Sequence, residues 1–236
     1  MTRFANAIAR RARTRAALGI ALAIGVARPV SAAAQEQEQE SSSEVWPEVD
    51  VWVKLGPKLT LFFPLSVTRS RDTEYTEGLV GARVDYRFSR HVSARVGYGY
   101  LWSLSDAEPP YREHRPVAEV SLRAYPGASS MLADRTRFDM RFIDGVYSYR
   151  LRNRLRVEHT YSAEQWAKGR ALTPYVMEEL GYDSRYHTIN RSRFTFGVEL
   201  TFTPTVMMDV NIVRQNDSRA SVGRLNALGL ALNLTY

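Results

Sequence analysis

From Val45 to the C-terminus, apolar and polar residues alternate along the chain. A strand turns successive side chains to opposite faces, so alternation over eight or more residues predicts a strand with one apolar and one polar face. The last segment is the clearest. Leu228, Leu230, Leu232, Leu234 and Tyr236 share one face, and Ala227, Gly229, Ala231, Asn233 and Thr235 the other. Segment 78–88 sets Val80, Ala82, Val84, Tyr86 and Phe88 against Arg83, Asp85 and Arg87, and 91–103 sets Val92, Ala94, Val96, Tyr98, Tyr100 and Trp102 against Ser93, Arg95, Gly97 and Gly99. Ala118, Val120, Leu122 and Ala124 oppose Glu119, Ser121 and Arg123, while Phe138, Met140 and Phe142 oppose Arg137, Asp139 and Arg141. In 146–160, Tyr147, Tyr149, Leu151, Leu155 and Val157 stand opposite Arg150, Arg152, Arg154, Arg156 and Glu158. In 189–202, Phe194, Phe196, Val198, Leu200 and Phe202 oppose Arg191, Arg193, Thr195 and Glu199. Weaker alternation predicts strands at 45–55, 58–68, 171–181 and 205–215. Turn-sized breaks fall at Gly56-Pro57, Ser89-Arg90, Asp144-Gly145 and Thr203-Pro204, and longer polar stretches at 69–77, 104–114, 161–170 and 216–224.

The prediction is all-β. Two architectures give every strand one apolar and one polar face: a soluble sandwich or barrel with the apolar face inward, and an outer-membrane barrel with it outward to lipid. The polar face decides. It carries small residues with dense arginine and acid, and only three lysines, Lys54, Lys58 and Lys168, occur in the chain. Arginine makes bidentate pairs with carboxylates and suits crowded, partly dry networks, so the bias fits a lumen better than an open surface. Aromatic residues ending the apolar faces fit bilayer interfaces. The expected fold is therefore a transmembrane antiparallel up-and-down β-barrel. The pattern yields about eleven strands; because single-chain bacterial barrels have even numbers, about 12 are expected, with 10 as the alternative. Either a strand is missed, within 104–114 or 161–170, or the 45–68 region is misread. With Tyr236 on the periplasmic side, 161–170 becomes periplasmic and Asp144-Gly145 extracellular, against the rule that periplasmic turns are the short ones.

The N-terminus changes the picture of charge and location. Residues 1–34 hold six of the 32 basic residues and no acid, leaving 26 basic residues against 25 acids in the rest. The net charge of +7 thus belongs to the leader and gives no support for nucleic-acid binding. Arginines precede an apolar run, Ala16 to Val26, with Ala32 and Ala34 spaced before Gln35. That is the pattern of a cleaved Sec signal peptide over 1–34, followed by a disordered polar segment at 35–44 and the barrel at 45–236. The closing run Leu228, Leu230, Leu232, Leu234 and Tyr236 resembles the C-terminal signature read by outer-membrane assembly machinery. The expected location is a Gram-negative outer membrane, with lipid and that machinery as partners.

The absence of cysteine excludes a thiolate metal site, a Cys nucleophile and a lipid-anchored Cys. There is no G-x-S-x-G elbow, no phosphate loop, and no His pair at metal-ligand spacing on one element among His91, His114, His159 and His187. No catalytic, cofactor or metal site is expected. The strongest constellation is instead the ladder Arg150, Arg152, Arg154 and Arg156 beside Arg137, Asp139 and Arg141. Such a density of cations needs carboxylates nearby, so a lumen network is expected from Arg83, Asp85, Arg95, Glu119, Arg123, Arg137, Asp139, Arg141, Arg150, Arg152, Arg154, Arg156, Glu158, Glu178, Arg191, Arg193 and Glu199. It would either fill a narrow lumen with salt bridges or select small anionic solutes. The expected role is a narrow or plugged channel or structural barrel, not an enzyme. The alternative is a barrel-embedded lipid hydrolase or acyltransferase using Ser and His.

The order of motifs resembles the DUF2490 family of uncharacterised outer-membrane barrels. The matching pieces are EVWPEVDVWVKL (with Trp46 and Glu48), GLVGARVDYRFSRHVSARVGYGY and REHRPVAEVSLR (with Glu113 and Arg115). They continue through RTRFDMRF, YRLRNRLRVE, PYVMEELGY, NRSRFTFGVEL and the terminal strand. The resemblance covers essentially all of 45–236. It implies the barrel fold and outer-membrane location, and no activity.

Overall fold

The computed structural model describes residues 41–70, 76–103, 111–162, 170–219 and 223–236. Twelve strands run in chain order. They are β1 (Ser41–Lys54), β2 (Leu59–Ser70), β3 (Thr76–Arg87), β4 (Val92–Ser103), β5 (Arg112–Ala124), β6 (Ser130–Ile143), β7 (Val146–His159), β8 (Tyr161–Ser162), β9 (Ala171–Asp183), β10 (Thr188–Thr203), β11 (Val206–Asp217) and β12 (Arg224–Thr235). The total agrees with the expected number, and the extra strand lies in the expected 161–170 stretch. It is only the two-residue β8, paired to the side of β9. The other eleven close a ring in which each pairs with its chain neighbour and β1 pairs with β12.

An odd ring cannot alternate direction all the way round, and the conflict falls at the seam. β1 and β12 run parallel, from Ser41↔Arg224 to Trp52↔Thr235, while every other pair is antiparallel. The last residue is part of the closure: Lys54 N donates to Tyr236 O and Tyr236 N to Trp52 O, each at 2.8 Å. A closed ring leaves no sheet edge with unpaired backbone groups. β1 begins four residues before Val45, so Ser41–Glu44 of the expected disordered segment belong to a strand. The rest of that segment and the expected signal peptide lie outside the described residues.

The connections sort into two ends. The strand ends at 54 and 59, 87 and 92, 124 and 130, 159 and 171, and 203 and 206 lie at the Tyr236 end, and those at 70 and 76, 103 and 112, 143 and 146, 183 and 188, and 217 and 224 at the other. The strand ends at His159 and Ala171 thus lie opposite the Asp144-Gly145 end, as expected, and 163–169 lie outside the described residues. The two-residue hairpin between β6 and β7 has φ of 47° at Asp144 and 87° at Gly145. A pair of positive φ values matches the twist of the flanking strands and favours Asp-Gly.

The wall is polarised opposite to a soluble protein. Val96, Val120, Leu122, Leu151, Val157, Phe194, Phe196 and Ile212 are exposed on the outer face, while Glu113, Asp139, Glu179 and Asp183 are buried on the inner one. Of the terminal run, Leu228, Leu230, Leu232 and Tyr236 are exposed outward and Leu234 is half-buried.

Candidate functional site

The inward face of β7 stands between β6 and β9. Register sets Arg152 directly opposite Arg137, and Arg154 opposite Arg135. Like charges facing one another across a strand pair repel. Carboxylates from adjacent rows resolve the repulsion. Asp139 accepts from Arg137 Nε and Arg152 Nη2, both at 2.7 Å. Glu179 on β9 accepts from Arg154 at 2.7 Å and also lies 3.5 Å from Arg152, 3.6 Å from Arg135 and 3.9 Å from Arg193. Through Arg135 the network continues to Glu119, Arg95 and Asp85. It therefore runs from β3 to β10.

A second cluster sits toward the end away from Tyr236. Glu113 and Asp183, both fully buried, share Arg141: its Nη2 is 2.7 Å from Glu113 and its Nη1 3.4 Å from Asp183. Arg115 binds Glu113, and Arg150 and Arg185 bind Asp183 at 2.9 and 2.8 Å. Two smaller groups complete the set. Arg156 joins Glu158 and Glu199, and Arg191 joins Asp217.

Between these clusters and the Tyr236 end lies a cavity of about 860 Å3. Ten arginines line it, together with six carboxylates: Glu48, Asp50, Glu119, Glu158, Glu199 and Asp209. Its wall also takes in Trp46, Trp52, Phe62 and Tyr175, and near the β10–β11 turn Thr203, Pro204 and Thr205. Each aromatic carries a guanidinium. Arg95 lies 5.0 Å from the Trp52 ring, Arg193 4.8 Å from Trp46 and Arg156 3.9 Å from Tyr175. Tyr175 reaches across β10 to Asp209 at 2.9 and 3.0 Å, over Gly197, where a Cβ would sit 2.4 Å from the ring. Only glycine leaves room for that crossing.

Sixteen of the expected network residues face inward. Glu178 is the exception and a correction: it is exposed on the outer wall, and its neighbour Glu179 is the inward carboxylate. β9 carries apolar residues on both faces (Tyr175 and Met177 inside, Leu172, Val176 and Leu180 outside), so its parity cannot be read from hydrophobicity. Arg83 and Arg123 face inward but form no ion pair within the described residues; Arg123 donates to Ser93 Oγ at 3.0 Å. The sequence expectation left Arg135, Glu179, Asp183, Asp209 and Asp217 out of the network and placed Glu113 and Arg115 only among the matching motif pieces. Arg115 and Arg135 share the parity of Glu119 and Arg137, a signal that could have found them.

The four histidines sit outside the interior network. His91 lies in the β3–β4 turn, and His187 in the β9–β10 turn with φ of 52°. His114 is on the outer wall, hydrogen-bonded to Tyr98. His159 pairs across strands with Ser130, whose Oγ lies 2.8 Å from Nδ1. Among the described residues no group of three His, Asp or Glu side chains could hold a metal ion.

These features define a closed β-barrel with an apolar outer wall and buried ion pairs within. The model of a family described as a protein of unknown function, DUF2490, matches residues 43–226, from β1 into β12, and the chain belongs to that family. No curated protein matches the chain.

Proposed function

We propose that this protein is an outer-membrane β-barrel of a Gram-negative bacterium, exported by Sec, whose interior is a narrow compartment for small anionic solutes. The observation that carries the reading is the inverted wall: exposed aliphatic and aromatic side chains outside, paired charges inside. In water such an exterior would aggregate, whereas lipid solvates it. Ten arginines line the cavity, while Asp139 and Glu179, which pair several of them, lie behind its surface, so the wall a solute meets favours anions over cations. The packed Glu113–Asp183 cluster favours a restricted passage over an open pore. Lipid is the partner of the outer wall, and the exposed terminal face is the segment offered to the assembly machinery.

The test has two stages. Membrane fractionation should find the protein in the outer membrane, running faster unboiled than boiled on a gel. Planar-bilayer recording in a salt gradient should then give a small conductance whose reversal potential favours anions, with the preference reduced in Arg154→Gln/Arg156→Gln. A soluble periplasmic protein with no mobility shift, or a cation preference, overturns the proposal.

One observation favours a second reading, a lipid hydrolase or acyltransferase. Ser130 and His159 meet on the outer wall near the Tyr236 end. A nucleophile beside its base is the start of a triad, but a third group must orient the base, and none bonds His159 among the described residues. Lipid turnover abolished by both Ser130→Ala and His159→Ala would favour this reading.

A further inference from the structure

Arg83 differs from the other buried interior cations in forming no ion pair among the described residues. It is 7% exposed, and its Nε, like those of Arg135 and Arg152, has no hydrogen-bond partner. The register explains why. Its cross-strand neighbours are Phe62 on β2 and Gly97 on β4, neither of which can accept a hydrogen bond through a side chain. Along β3 the inward positions beside it are Gly81 and Asp85, and both Nε and Nη2 of Arg95 already hold Asp85, at 3.2 and 3.1 Å. Its guanidinium lies 5.2 Å from the Phe62 ring centroid, with that of Arg95 4.8 Å from the same ring. Two cations thus share one aromatic ring, and carboxylates hold only one of them. A buried charge without a partner is costly, and natural interiors pair such groups or bind a counter-ion.

We propose that Arg83 anchors an oxyanion-binding site within the interior cavity, taking a small anion of the phosphate type. A guanidinium presents parallel N–H groups in a plane, matched to two oxygens of one anion. The Phe62 ring lies beside the Arg83 guanidinium and Nε is closed off from the cavity, so a ligand meets the two terminal Nη groups. Arg95 adds a second positive charge beside it. At Gly97 a Cβ would sit 2.6 Å from Arg83 Cγ, so glycine there makes room for the Arg83 side chain itself. The inference rests on the anion-compartment reading and sharpens it to one residue and one ligand geometry.

The test is isothermal titration of inorganic phosphate into the folded protein in detergent micelles. Saturable binding at one site per chain is expected. Arg83→Gln should weaken it by at least about tenfold, with Arg83→Lys between, because the lost fork contacts are charge-assisted. Arg123→Gln, also a cavity arginine, should weaken it by less than about threefold, since it alters only the general potential. Chloride at equal ionic strength should not compete, being a single spherical ion with no pair of oxygens for the fork. A folding control comes from urea unfolding: removing an unpaired buried charge in Arg83→Met should raise the midpoint. Phosphate should raise the midpoint of the unmutated protein and leave the variant unmoved. Equal losses in Arg83→Gln and Arg123→Gln, full competition by chloride, or no phosphate binding would each overturn the site. Phosphate binding without anion preference in bilayers would sink the transport reading and leave the site standing. Anion preference without a phosphate site would do the reverse.

Discussion

β7 and β12 present the same outer face and opposite inner ones. Outward, β7 shows Leu151, Leu155 and Val157, and β12 shows Leu228, Leu230 and Leu232. Inward, β7 carries Arg150, Arg152, Arg154 and Arg156, whereas β12 carries Ala227, Gly229, Ala231 and Asn233. The outer faces agree because both meet one environment. The inner faces differ because a barrel this narrow cannot hold long side chains on every wall. Cations reaching in from β7 need bare wall elsewhere in the ring, and the cavity borders Arg152, Arg154 and Arg156 as well as Ala231 and Asn233. Charge on one wall and small residues on the other are thus one packing solution. The comparison predicts that removing a counter-charge near β7 is severe, while adding bulk to β12 is mild.

The largest effect is expected from Asp183→Asn. Asp183 is fully buried, and its Oδ2 lies 2.9 Å from Arg150, which forms no other ion pair among the described residues. The substitution leaves that cation buried and unpaired, a change that costs about 3–5 kcal/mol when one partner of a buried pair is removed. Urea unfolding followed by tryptophan fluorescence should show the loss. A shift no larger than that of a surface mutation would mean that water already reaches the cluster, and β7 would then resemble β12 more than the geometry suggests.

A middle effect is expected where the two kinds of wall meet. Gly197→Ala places a Cβ 2.4–2.7 Å from three atoms of the Tyr175 ring and hydroxyl. The ring must leave, and with it go the hydrogen bonds to Asp209 and the contact with Arg156. Overpacking of this kind costs about 1–3 kcal/mol. Tyr175→Phe, which keeps the ring and drops the hydroxyl, should cost about 0.5–1.5 kcal/mol, the net worth of a hydrogen bond. Equal losses in the two would locate the whole effect in the Asp209 bond.

How much of this was legible depended on each strand's contrast. On β3 to β7 one parity is apolar and the other largely polar, and on β12 one is leucine-rich and the other small, so the apolar outer face and the inward arginines could be read from residues alone. On β9 the inward Tyr175 and Met177 are as apolar as the outward Val176 and Leu180, and the wrong glutamate was chosen. Only the Tyr175–Asp209 bond and the gap at Gly197 explain why a tyrosine belongs inside. The alternation counted the eleven ring strands directly. The evenness rule asked for one more, because the parallel β1–β12 seam leaves no mark in local periodicity. Pairing between strands far apart in sequence, such as Arg141 with Glu113, was beyond reach for the same reason. Alternation gives the face of a residue, and only register gives its neighbour.

The mildest change should be Ala231→Leu on β12. In a packed interior an added side chain of this size forces neighbours off their rotamers and costs about 1–3 kcal/mol. Ala231 instead faces the cavity of about 860 Å3, where a leucine has room. The stability change should stay below about 1 kcal/mol, the range of well-tolerated hydrophobic changes. On the proposed anion-channel reading, occupied space should register elsewhere: bilayer conductance should fall while the anion preference holds. A loss near that of Asp183→Asn would mean that the β12 wall is packed against long side chains from across the ring. Small residues would then be there for tight contact, and the cavity would not be the space that β12 leaves for β7.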